Sequence, residues 1–193
     1  MSYPTRDEAW SLLTEYTQSE SLLKHALSVE AAMRAYARHF GASEEAWGVV
    51  GLLHDFDYER HPTLEEHPMK GAEVLRARGY PDEMIAAILS HAPHTGVPRE
   101  TPMAKALFAV DELTGFVTAV ALVRPDRKVA EVKPSSVRKK MKDKAFARAV
   151  KRDEITEGAQ LLGVEFEAHV QTVIDAMAGI AERLGLAGTP AEA

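Results

Sequence analysis

The 193-residue chain contains no cysteine, which excludes disulfides and thiolate metal sites and suits a reducing cytoplasm. It also lacks a long apolar run: Val49–Val50 and Leu52–Leu53 are split by Gly51, and nothing approaches the roughly 20 residues that span a bilayer. The N-terminus opens on Tyr3, Pro4, Arg6, Asp7 and Glu8 instead of a basic run and an apolar stretch, so no secretory signal is expected. Sustained period-two alternation is missing too, which argues against strands. These absences predict a soluble, cytoplasmic protein without a membrane partner, in which any metal is held by nitrogen and oxygen.

What is present is a hydrophobic content of 46%, enough for one sizeable core, so residues 1–186 are expected to form a single domain. The formal charge of −6 is unevenly spread: residues 124–152 carry 12 Lys and Arg against 3 Asp and Glu. Such a run is either a solvated helical face or an electropositive wall for an anionic substrate. The overall negative charge argues against nonspecific nucleic-acid binding.

Apolar residues recur at helical spacing almost throughout, so the fold class is all-α. Leu22, Ala26, Val29, Met33, Tyr36 and Phe40 line one side of a helix from about residue 20 to 39, and Gly41 stops it. Ser43 is a good N-cap for a helix that runs through Trp47, Val50 and Leu53 to His54 and Asp55. A polar loop over residues 56–66 follows, where Thr63 and Glu66 could form a capping box. A helix of about ten residues then ends near Gly79, and Pro81 suits the first position of the next, which carries Met84, Ile85, Ile88 and Leu89 inward as far as His91. From Pro102 a long helix presents Leu107, Phe108, Val110, Leu113 and Val117 until Pro125 closes it. Short helices are expected around Pro134, and Phe166, Val170, Val173, Met177, Ile180 and Leu184 predict a packing helix over residues 165–185. Residues 187–193 read as a flexible tail.

Eight histidines invite a metal hypothesis, although a lone histidine is more often a surface residue or a satisfied core residue. Placement decides. His25 sits at the margin of its helix's apolar stripe, while His91 and Asp111 follow core residues by three and four positions and so point inward. An unpaired carboxylate there costs several kcal/mol, and a divalent cation removes that cost. His54 and Asp55 diverge by about 100° on a helix, which suits a helix end where they flank one ion or bridge two.

In order, His25, then His54-Asp55 within Gly-Leu-Leu-His-Asp-Phe-Asp-Tyr-Glu, then Asp111 within Ala-Val-Asp-Glu-Leu-Thr-Gly resemble the H…HD…D signature of the HD superfamily of metal-dependent phosphohydrolases. The resemblance covers roughly residues 24–125. It implies a compact helical bundle with an HD core at about 20–125 and additional C-terminal helices. It makes His25, His54, Asp55 and Asp111 metal ligands, with Asp55 able to bridge to a second ion. His67 and His91 stand where the binuclear branch has two more histidines. The implied cofactor is one or two divalent ions among Mn, Fe, Ni, Mg and Zn, and the implied partner is a small phosphorylated substrate such as a nucleotide. His54 and Asp55 would then be catalytic as well as ligating.

Expected substrate contacts are Lys70 and His94 near the core and, from the basic segment, Lys133, Ser136, Arg138, Lys139 and Lys140, where Pro134 and the serines could set N–H groups and hydroxyls beside a phosphate. Two other readings remain open at this point: a di-iron oxygenase, since some HD relatives use the same ligand order, and a non-catalytic ligand- or nucleic-acid-binding module.

Overall fold

The computed structural model describes residues 2–188, and the chain is all-α: the regular elements there are helices, with one isolated antiparallel bridge, Lys128 to Ala187. Helix α1 (Arg6–Tyr16) starts at a capping box in which Thr5 and Glu8 bond each other's backbone N–H. Its Arg6 reaches the nearly buried Glu30 of α2 (Glu20–Phe40) at 2.7 Å, and Arg34 holds the same carboxylate, so the buried acid is paired twice. Gly41 ends α2 in the left-handed region with φ 63, as the sequence predicts.

Ser43 caps α3 (Glu44–Leu53) through the N–H of Ala46. α3 lies very close to α2 because glycine faces it: a Cβ at Gly51 would come within 2.9 Å of the Val29 carbonyl oxygen. That approach brings the end of α3, with His54 and Asp55, against the α2 face that carries His25.

After the loop come α4 (Met69–Ala77) and α5 (Asp82–His91), with Pro81 at the N-cap of α5, one position earlier than expected. The chain then enters α6 (Pro102–Leu122), which is 21 residues long like α2, is mostly buried and forms the spine of the bundle. α7 (Pro134–Met141), α8 (Arg152–Leu162), α9 (Phe166–Ala178) and the short α10 (Ala181–Leu184) complete it. α1 and α8 lie where apolar periodicity makes no assignment. The expected packing helix over 165–185 is two helices, because Ile180 leaves the helical region at φ −126 and the chain turns back. That turn lets the Leu186 carbonyl accept from Val129 N–H at 2.9 Å, so Ala187 is tied down by its bridge to Lys128 instead of opening a tail. Residues 189–193 of the expected tail lie outside the described residues.

α9 also ties α2 to α6, the helices that bear His25 and Asp111. His169 is fully buried; its Nδ1 accepts from the Tyr36 hydroxyl on α2 and its Nε2–H donates to the Ala109 carbonyl on α6 at 3.0 Å. Burial pushes His169 down from 6.5 to about 4. The folded protein thus resists a proton that the unfolded chain accepts.

Two outcomes follow. Gly51→Ala forces α3 off α2 and should cost about 1–3 kcal/mol by overpacking, measured by chemical denaturation. Stability contributed by neutral His169 is fully present above pH 6.5 and is lost as pH falls toward 4, about 3 kcal/mol in all; His169→Gln should flatten the denaturation free energy over that window.

Candidate metal centre

Two helices end at the centre, and each ends in a histidine used in the same way. His54 follows the last residue of α3 and its Nδ1–H donates to the Gly51 carbonyl at 2.8 Å; His91 is the last residue of α5 and its Nδ1–H donates to the Ile88 carbonyl. Each ring therefore caps a last-turn carbonyl with one nitrogen and presents the lone pair of the other inward. The negative ends of the two helix dipoles adjoin the same spot, which favours a cation.

His67 comes from the loop and is fixed by a different partner. Its Nδ1–H donates to Asp57 Oδ1 at 2.9 Å, and Asp57 Oδ2 accepts from Gly71 N–H at 2.7 Å, so a fully buried carboxylate orients this ring. Tyr58 packs edge-on against it with ring centroids 5.2 Å apart. A buried aspartate at 57 was not singled out from sequence; its place two residues after Asp55 was the available signal.

The inward atoms form two groups that share Asp55. Ligand atoms of His25, His54, Asp55 and Asp111 lie within 4.8 Å of one another, and so do those of Asp55, His67 and His91. Asp55 Oδ2 lies 3.3 Å from His54 Nε2 and 3.8 Å from His25 Nε2; its Oδ1 lies 3.1 Å from His67 Nε2 and 3.2 Å from His91 Nε2. Asp111 Oδ1 is 3.0 Å from His25 Nε2, and the Nε2 atoms of His25 and His54 are 3.2 Å apart.

This geometry is not satisfied by the protein alone. With their Nδ1 protons engaged, His54, His67 and His91 offer lone pairs to carboxylate oxygens that are also acceptors, and Asp55 Oδ1 is buried without a hydrogen-bond donor. Protons or metal ions must come between them. Burial works against every charge here, yet the neighbouring carboxylates outweigh it for the imidazoles: Asp55 and Asp111 hold His54 well above its ordinary value, and Asp55 with Asp57 raises His67 to about 9. Asp55 and Asp111 are correspondingly held well below the usual carboxylate range, against burial, by the histidines around them. Nitrogen and oxygen donors in these numbers fit a divalent cation, which would take the place of the protons.

The centre opens on a cavity of about 360 Å³ lined by His25, Asp55, His67, His91 and Asp111 and, beyond them, by His94, Glu112, Lys151 and Glu154. His94 donates from Nε2 to the His67 carbonyl at 2.9 Å. Glu112 is raised to about 7 by burial and by the adjacent Asp111 charge. Four carboxylates thus face one lysine in the lining, a formal −3 that divalent cations in the two donor groups would turn to +1.

The expected phosphate contacts need correction. Lys70 is half-exposed and pairs with Glu73 at 3.0 Å, and it does not line the cavity. Lys133, Ser136, Arg138, Lys139 and Lys140 do not line it either, because buried Val137 docks α7 against α9 and α6. There Arg138 pairs with Glu167 and lies over the Phe166 ring, and Lys140 lies over Phe146. Most of the basic segment is a paired or solvated face. Lys151, at its far end, is the member that reaches the cavity, and its N–H donates to Glu112 at 3.2 Å.

Compared with known families, residues 22–115 match the HD domain. The chain contains a domain of the HD superfamily. It is a metal-dependent hydrolase of the HD type, and its donor set is consistent with phosphohydrolase chemistry. The matched span runs from the start of the apolar stripe of α2 to the residue one turn past Asp111, so the HD domain contains both donor groups. No solved structure matches the chain. Among the described residues no helix is long and apolar enough to cross a membrane.

Asp57→Asn retains shape but removes one acceptor from the His67–Asp57–Gly71 chain. Metal affinity at the His67 group should fall about 10–100-fold, read by competition with a chromogenic chelator, with the helical circular dichroism retained.

Proposed function

We propose that this HD protein is a cytoplasmic phosphohydrolase whose two donor groups, sharing Asp55, would hold two divalent ions, that it acts on a small phosphorylated metabolite, and that residues 1–186 work as one domain. The observation that carries this reading is that the two oxygens of a single half-buried carboxylate face two separate sets of imidazole nitrogens at the floor of one cavity. In this reading His25, His54, Asp55 and Asp111 would hold the first ion, and Asp55, His67 and His91 would hold the second.

The chemistry that such ions supply when bound is polarisation of a phosphoryl oxygen and a lowered pKa for a neighbouring water. The chain's own residues do the rest. The Asp55 carboxylate fixes the spacing of the two donor groups and orients the water toward phosphorus. Lys151 Nζ, 3.1 Å from Glu154, is the lining cation placed to follow charge as it develops on the phosphoryl oxygens. His94, held by the His67 carbonyl, stands at the cavity wall as the group that can pass a proton to a departing alkoxide.

Metal analysis of the purified protein should find about two ions per chain, and a panel of phosphomonoesters and phosphodiesters should reveal turnover that chelation removes and one of Mn, Fe, Ni, Zn or Mg restores. Asp55→Ala and Asp111→Ala should lower kcat by about a thousandfold or more, the several kcal/mol expected of Lewis-acid stabilisation, while Lys151→Met should lower kcat by a smaller factor with little change in KM. Bound iron with oxygen consumption and no ester turnover would replace this reading with the oxygenase one.

A further inference from the structure

A second cavity, of about 440 Å³, touches the metal centre from the other side. On α2 its wall is Ser21, Lys24, His25 and Ser28, one face of the helix at steps of three and four. On α6 it is Gly115, Thr118 and Leu122, which continue the stripe that begins at Asp111. His25 and Gly115 line both cavities. The junction is open at Gly115, where an added Cβ would meet no atom within 4 Å.

We propose that this groove between α2 and α6 holds the non-reacting part of the substrate, an elongated phosphate ester with an apolar body and a second negative charge at its far end. The proposal rests on the hydrolase reading above and adds what the substrate must look like. Leu122 lies eleven helical steps beyond Asp111 on α6, so the groove extends roughly 16 Å from the metal centre. Its far wall is apolar, with Leu184 and Leu186 buried against it and Leu122 at the rim, 49% exposed, while Thr118, Ser21 and Ser28 put hydroxyls on the flanking helices.

Beyond Leu122 stands Arg127, exposed and in the left-handed region at φ 48, a conformation that a non-glycine residue rarely adopts. The cations beside it are neutralised, Arg124 by Asp126, Lys128 by Glu131 and Lys24 by Glu20. Arg127 has no carboxylate in ion-pair reach among the described residues. An unpaired guanidinium at the end of an apolar groove is suited to an anionic group, bound in fork geometry. The volume falls within the ~300–1,000 Å³ usual for small-molecule sites.

Three probes separate length from charge: phenyl phosphate, biphenyl-4-yl phosphate, and the biphenyl ester with a 4′-carboxylate. In the metal-loaded protein kcat/KM should rise about tenfold with the second ring and again with the carboxylate. Arg127→Gln should erase the second gain and leave the first. Thr118→Phe, at a residue that lines this groove and not the metal-site cavity, should bring both biphenyl esters down to the level of phenyl phosphate without changing turnover of that short ester. Equal effects of either variant on all three probes, or none, would overturn the groove assignment while leaving the hydrolase reading intact. If no ester is turned over, the hydrolase reading fails and calorimetric binding of the intact carboxylated ester decides the groove: loss of affinity in Arg127→Gln supports it, and no binding to the wild type overturns it.

Discussion

The structure depends on one half-buried carboxylate whose inner oxygen is left without a hydrogen-bond donor by the protein. Asp55 turns one oxygen to His25 and His54 and the other to His67 and His91, and these nitrogens are acceptors wherever the opposite ring nitrogen already donates. An ordinary core would not retain such a cluster, because acceptors facing acceptors in a dry environment are repulsive. Positive charge must be supplied from outside, and the helices are arranged to receive it. α3 and α5 both end there, α2 approaches over Gly51, and α9 braces α2 and α6 through His169. Burial therefore serves function and not stability alone.

The helical class, the two long helices and the inward placement of His91 and Asp111 were legible because period-3.6 burial is written directly in apolar spacing. Gly41 and Ser43 were legible for the same local reason, since caps act within one turn. α1 and α8 were not: α8 buries only Ile155, Gly158 and Ala159, too few apolar positions to read as a stripe. The break at Ile180 was hidden because α10 keeps the apolar phase of α9 across the turn. Asp57 was missed since an acid in a polar loop looks solvated until the fold places Gly71 and His67 against it.

The basic segment shows how far charge counting extends. A strongly cationic stretch of sequence suggested a wall for phosphate, but its side chains meet acids and aromatic rings that are distant in sequence: Glu167 and Phe166 for Arg138, and Phe146 for Lys140. Only the folded chain reveals which charges are already answered. Lys151 and Arg127, at opposite ends of that segment, face the two cavities. Their positions owe nothing to the density of charge between them.

The two donor groups differ in how they are carried. The first is drawn from α2, the end of α3 and α6, whereas the second relies on His67, set in a loop and steadied by Asp57. A change of loop length between residues 58 and 66 would dismantle the second group and leave the first in place. Descendants of such a scaffold can thus pass from two-ion to one-ion chemistry by an insertion or deletion in a single surface segment, with no helix redesigned and no core residue replaced.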